Sequence, residues 1–396
     1  MCTGRLSRLR SRVEHSATKR RCDVREPVVS IQGTMTDERL LDALLTWYRA
    51  NRRTLPWRED PRPYFVLLSE FMCQQTRIDT VLPYFARFTE RWPTLEDLAA
   101  SKEEEVLQEW AGLGYYSRAR NLRKAAIAAV SSGGLTGDPE ALRALPGVGP
   151  YTAGAIASVA FGTAAPLVDG NVERVLCRID GVHTDPRSTP GRKALWARAA
   201  VLIEDHPSPG EHNQALMELG ALICSPRKPS CSACPVAEFC VARAAGDAES
   251  LPNKPKKAPP TPISGLCAVV EEDGRVLMGL RGPGLLAGMW EPVMGTESDS
   301  VTALLASSAG VRSVSTTHLG TVTHVFSHRK LTLQVVRARV SGTPVLGEGY
   351  LELRYIDPQN PGVALSKLAR KVLDLASDEQ TALPLAADAT MSGEWS

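Results

Sequence analysis

Two carboxylates and four cysteines are the residues best placed to do chemistry. Glu70 lies in LLSEFMCQQTRIDT, residues 67–80, where it interrupts the apolar company of Leu68, Phe71, Met72 and Cys73. A carboxylate in such surroundings is costly unless it is paired, protonated or turned towards a cleft. Taken alone, the pattern suits a satisfied acid at the edge of a core as well as a catalytic group. Asp169 lies in LVDGNVERVLCRI, just ahead of a helical pattern. It suits a helix N-cap there, and the positive end of the helix would keep its carboxyl ionised, as a catalytic anion requires. Cys224, Cys231, Cys234 and Cys240 follow the spacing C-x6-C-x2-C-x5-C. Four thiolates this close can share one centre, either a tetrahedral zinc or an iron–sulfur cluster. Zinc sites usually use two C-x2-C pairs, and this stretch has one. The intervening SPRKPS turns Arg227 and Lys228 outward, a basic tip suited to a phosphate or simply a solvated loop.

A fourth feature is LPGVGPYTAGAIASVAFG, residues 145–162. Gly147 and Gly149 let backbone approach a ligand closely, and the helix that follows offers free N–H groups to an anion. The spacing and lysine of a nucleotide P-loop are missing. The segment fits a helix–hairpin–helix gripping one DNA phosphate, although a plain interhelical turn has the same look.

The elements that must position these residues divide the chain. At 396 residues it is long for one core, so two domains plus tails are expected. The formal charge of +2 does not by itself point to nucleic acid; basic residues cluster locally, as in Arg52-Arg53 and RARNLRK, residues 118–124. No run approaches the roughly 18 apolar residues that span a bilayer, so no membrane association is expected. Nine cysteines, four of them crowded together, suggest a metal centre in a reducing, intracellular compartment rather than a disulfide framework. Residues 1–34 hold eight Lys/Arg against three acids and read as a disordered basic arm, with Met35 as an alternative start. Residues 35–250 carry helical periodicity throughout. TDERLLDALLTWYRAN begins with Thr36 as a cap, and Thr94 to Asp97 form a capping box. Residues 251–263, LPNKPKKAPPTPI, read as a semi-rigid solvated linker. Residues 264–375 change to α+β grammar, with a hairpin at Asp273-Gly274, strand-like runs at 321–326 and 331–340, and a last helix at 366–375. Residues 376–396 read as a disordered tail.

Taken in order, LLSEFMCQQTRIDTVLPYF, GLGYYSRARNL, LPGVGPYTAGA, VDGNVERVL, NQALMELGALIC and the cysteine quartet resemble MutY-type adenine DNA glycosylases of the helix–hairpin–helix base-excision superfamily. The resemblance covers about residues 40–340. It implies an all-α glycosylase domain with an Fe–S loop and an α+β Nudix-like C-terminal domain. It further implies a monomer that acts on double-stranded DNA holding adenine opposite 8-oxoguanine, in the cytoplasm or nucleoid, with a 4Fe–4S cluster on the four cysteines. N-glycosidic cleavage passes through an oxocarbenium-like state that needs a proton for the leaving group and an anion for the sugar. By resemblance Glu70 gives the proton and Asp169 is the anion, supported by Tyr151 and Asn171. Leu55, Trp57, Arg58, Gln214 and Glu218 would form the adenine pocket. Gln75 and Tyr115 would wedge into the duplex. Phe326, Ser327 and His328 would probe the 8-oxoguanine. A hydrolytic Nudix domain needs a Glu-rich helix for Mg²⁺; SDSVTALLASSAG has one aspartate and no glutamate, so pyrophosphatase activity is not expected. The alternatives are an endonuclease III-like pyrimidine glycosylase and lyase, whose Schiff base needs a lysine where Tyr151 stands, and a DNA-lesion binder without catalysis, against which both carboxylates speak.

Overall fold

A computed structural model describes residues 31–255, 259–296, 300–326 and 328–378. The first domain is helical: α1 (Ile31–Asn51), α2 (Pro56–Glu59), α3 (Pro63–Cys73), α4 (Ile78–Arg91), α5 (Leu95–Ala100), α6 (Glu103–Glu109), α7 (Ser117–Ser131), α8 (Pro139–Arg143), α9 (Pro150–Phe161), α10 (Gly170–Ile179), α11 (Thr189–Ile203), α12 (Pro209–Leu222) and α13 (Val241–Ala245). Proline opens α2, α3, α8, α9 and α12, where its missing N–H costs nothing and its fixed φ suits the first turn. The capping box at α5 forms: the Asp97 N–H donates to Thr94 Oγ1 and the Thr94 N–H to the Asp97 carboxylate, each at 3.1 Å. Helix α1, however, starts at Ile31, inside the stretch expected to be an unstructured arm, and runs through Thr36 instead of being capped there. Once a helix is nucleated each added residue gains a hydrogen bond, so a good cap residue does not stop it. Residues 1–30 lie outside the described residues.

Two cores hold this domain. One centres on α3, α4 and α7, with Phe65, Leu67, Phe71, Phe88 and Trp110. The other joins α1, α10 and α12 through Leu44, Tyr48, Val175 and Leu216. Helix α9 packs on both α3 and α12, and Gly154 permits its close approach to the next segment, since a Cβ there would stand 2.1 Å from the Pro166 carbonyl oxygen.

The second domain is a six-stranded mixed sheet with a helix on each face: β1 (Thr261–Glu272), β2 (Arg275–Arg281), β3 (Trp290–Thr296), α14 (Val301–Ala309), β4 (Arg312–Val325), β5 (Arg329–Ser341), β6 (Tyr350–Ile356) and α15 (Lys367–Ser377). The order is β4-β5-β1-β3-β2-β6, with β1 and β5 parallel and the other pairs antiparallel. Asp273 and Gly274 take φ of 48° and 72°, the left-handed pair of a tight hairpin. Strand β4 begins well before the expected residue 321. It is an edge strand, so its first half (RSVSTTHLG) is largely exposed and lacks a clear apolar alternation. Strand β1 likewise begins at Thr261, inside the expected linker. The first residues of that linker are pinned: Leu251 is buried, Asn253 Nδ2 donates to the His183 carbonyl, and Lys254 pairs with Glu173 at 2.5 Å, while residues 259–263 are exposed. Helix α15 runs to Ser377 and buries Ala376, which was expected to open the tail; residues 379–396 lie outside the described residues. The domains meet directly. The Tyr116 hydroxyl donates to the Leu365 carbonyl at 3.1 Å, and Arg120 to that of Ala287 at 2.6 Å.

Candidate active site and DNA interface

Glu70 sits near the end of α3, Tyr151 near the start of α9, and Asp169 caps α10. With Asn171, Gln214 and the segment around Trp57 they line one cavity of about 440 Å³. Their electrostatic settings differ. Burial pushes the Glu70 carboxyl from 4.5 to about 7; a side-chain hydrogen bond with Tyr151 works the other way, and the Asp169 charge adds to the rise. Asp169 is also raised by burial, but it accepts from the Asn171 and Val172 N–H groups at 2.9 and 2.7 Å and from Asn171 Nδ2 at 3.0 Å, all of which favour the anion. The positive end of α10 therefore opposes a desolvation that the sequence did not reveal.

Leu55 and Trp57 are buried in the apolar wall, Trp57 tilted against Phe85 with ring centroids 5.0 Å apart. Gln214 is half-buried, with its amide donating to the Gly210 carbonyl. Glu218 also lines the cavity, with its carboxylate held by two arginines. Burial works to raise its carboxyl, yet Arg53 and Arg58 hold it down to about 2. Both of its oxygens accept from both guanidinium groups, at 2.7–3.1 Å. Its effect on the cavity passes through Arg58, whose charge also acts on Glu70.

A second, larger cleft of about 780 Å³ opens between the domains. Gln75 and Tyr115 face it from the loops after α3 and after α6, both exposed and both with positive φ, 57° and 49°. A non-glycine residue in that region is strained and marks sites where function or packing holds it. Across the cleft stand Phe326 and His328, on the β4–β5 turn closed by the Phe326 N–H donating to the Arg329 carbonyl at 2.7 Å. Ser327 lies outside the described residues. The hairpin glycines sit in the turn between α8 and α9. Gly147 has φ of 78° and a Cβ there would meet Asn121, whereas Gly149 is exposed at the start of α9 with open space about it.

Three arginines of the RARNLRK cluster are engaged within the protein. Arg118 is buried, Arg120 binds across the domain interface, and Arg123 donates to the Ser101 carbonyl. Sequence reasoning also missed Arg174. Its Nη2 donates to Asn171 Oδ1 at 2.9 Å and its Nε to the Cys224 carbonyl at 2.7 Å. The available signal was an arginine on the buried face of α10, where it must find acceptors.

The four cysteine sulfurs line one small apolar pocket with Ile223 and Arg178. Arg178 Nη1 donates to Cys224 Sγ at 3.2 Å. Among the described residues no group of three or more Cys, His, Asp or Glu is arranged for a single metal ion. An all-thiolate set spread around one pocket fits a multi-iron cluster better than a tetrahedral zinc. Arg227 and Lys228 are exposed on the loop between the first two ligands.

Residues 68–200 match the family model of the HhH-GPD superfamily base excision DNA repair protein, residues 224–240 that of the iron-sulfur binding domain of endonuclease III, and residues 265–375 that of the NUDIX domain. Fold and site together define a helix–hairpin–helix base-excision glycosylase with a 4Fe–4S loop and a Nudix-like domain. The adenine DNA glycosylase of Homo sapiens is 40% identical over 369 residues, covering 76% of this chain and 67% of that protein. That of Rattus norvegicus is 40% identical over 362 residues, covering 76% and 70%. That of Arabidopsis thaliana is 36% identical over 360 residues, covering 76% and 57%. The chain belongs to the adenine DNA glycosylase family. It is a DNA-repair hydrolase of N-glycosyl bonds, and it carries a 4Fe–4S cluster. No helix among the described residues is long and apolar enough to cross a membrane.

Proposed function

We propose that the protein removes adenine paired with 8-oxoguanine, or with guanine, from duplex DNA as a monomeric, monofunctional glycosylase. The observation that carries this reading is that Glu70 and Asp169 line one cavity of a size that suits a base, in unlike settings. The adenosine leaves the stack to enter it. Glu70, whose raised carboxyl keeps a large share of protonated form near neutral pH, gives its proton to adenine N7. The bond from N9 to the sugar breaks, its electron pair leaves with the base, and the sugar cation faces Asp169. Glu70, now a carboxylate, takes a proton from the water whose oxygen adds to the sugar. Tyr151 and Asn171 support the two acids, and Leu55, Trp57, Arg58 and Gln214 shape the pocket. Cys224, Cys231, Cys234 and Cys240 would hold the cluster, whose iron–thiolate bonds would brace the loop of Arg227 and Lys228.

Two features support the finer parts. A lyase would need a lysine nucleophile where Tyr151 stands. In the Nudix-like domain, α14 carries no acidic residue to hold a metal, which leaves recognition as its role. Phe326 and His328 face the cleft opposite Gln75 and Tyr115, where the partner base of an extruded adenine would lie. The test is single-turnover base release from A:8-oxoguanine, A:G and T:G duplexes, with borohydride trapping. Adenine release, fastest opposite 8-oxoguanine and without a trapped adduct, is expected. Thymine release or a trapped adduct would favour the endonuclease III-like reading.

A further inference from the structure

The two duplex-facing loops are separate in sequence but share one buried guanidinium. Arg118, in the first turn of α7, is only 7% exposed. Its Nη1 donates to the carbonyls of Phe71, Met72 and Gln74 at 3.0, 2.8 and 2.5 Å. Its Nη2 donates to Thr76 Oγ1 at 3.2 Å and to the carbonyls of Leu113 and Gly114 at 3.3 and 3.1 Å. The Nη1 partners are the end of α3, one or two residues beyond Glu70, and the residue before Gln75. The Nη2 partners include the residue after Gln75 and the two before Tyr115. The same guanidinium lies 5.5 Å from the Tyr115 ring centroid. Among the described residues it has no carboxylate partner. Its charge is met by the negative end of α3 and by loop carbonyls, of which Gly114 also accepts from Trp110 Nε1 and Gln74 from Thr76 Oγ1.

We propose that Arg118 is a positioning residue that couples Gln75 and Tyr115 into one wedge and ties that wedge to the end of α3 that carries Glu70, so that both side chains enter the duplex together. Both loops hold a strained left-handed residue next to an Arg118 acceptor, and such backbone persists only where its surroundings over-determine it. A planar fork with parallel donors spans two loops; a lysine ammonium, a single point, does not. This rests on the wedge roles proposed above for Gln75 and Tyr115.

The test is a double-mutant cycle on the full chain with its cluster. Gln75→Ala, Tyr115→Ala and the double variant are made in the parent and in Arg118→Lys. Single-turnover adenine release and the fluorescence of 2-aminopurine beside the target adenine are measured, with duplex affinity and melting temperature followed alongside. In the parent, the double variant should be slower than the parent by at least about fivefold less than the product of the two single effects. In Arg118→Lys the effects should multiply, and melting should fall because buried carbonyls lose their donor. Thr76→Val, which removes one acceptor and keeps the volume, should lower the coupling in the same direction, and it carries the test if Arg118→Lys does not fold. Equal coupling with and without the intact Arg118 contacts, or independent effects in the parent, overturns the proposal while leaving the wedge reading in place. Single variants with unchanged release and unchanged fluorescence overturn both.

Discussion

Replacing Glu70 by glutamine separates the proton on this residue from the rest of the site. Burial raises its carboxyl from 4.5 to about 7. A group whose folded pKa is raised leaves the fold unpenalised at pH below its unfolded value, and the stability is lost as pH climbs through the folded value. At about 1.4 kcal/mol per pH unit of difference, ionised Glu70 costs the folded protein about 3 kcal/mol by pH 8 and under about 1 kcal/mol at pH 5. Glutamine never ionises. Glu70→Gln should therefore melt near the parent at pH 5 and about 6–12 °C above it at pH 8, using the usual slope for a domain of this size. Adenine release should be abolished in the variant while duplex binding persists, and the parent's single-turnover rate should fall about tenfold per pH unit above roughly pH 7. Parallel melting at both pH values would refute the buried-acid assignment. Measurable base release by Glu70→Gln would refute the proton-donor role.

Tyr151→Phe removes a hydrogen bond that favours the Glu70 anion; the basic limb of the rate profile should move to higher pH, read from the same single-turnover series. Glu218→Ala leaves Arg53 and Arg58 without their shared carboxylate, and should destabilise the fold by about 3 kcal/mol in denaturant titrations while slowing release through the displaced Arg58. Cys240→Ser should lose the visible cluster absorption and weaken duplex binding, as the loop of Arg227 and Lys228 comes loose; full binding by cluster-free protein would separate the loop from DNA contact.

How much of this was legible in the sequence varies with the range of the interaction. The helical character of the first domain and the capping box at Thr94–Asp97 followed from periodicity and cap residues, which act within a few turns. The Asp273-Gly274 hairpin did so for the same reason. The edge half of β4 and the anchoring of residues 251–254 were missed, because both are held by neighbours distant in the chain and leave no periodicity. Lys254 reaches Glu173, eighty-one positions away (254 − 173).

The same division runs through the site. Residue type and local spacing alone marked Glu70, Asp169 and the cysteine quartet as candidates, since an acid in greasy company, a cap before a helix and clustered thiols are chemically unusual wherever they fold. Tertiary structure alone decided that Glu70 and Asp169 share a cavity, that burial also raises Asp169 against the opposing helix end, that Glu218 is taken up by two arginines, and that Arg118 is buried. Those outcomes depend on desolvation and on partners brought together by packing. The chain order encodes such partners only through the completed fold.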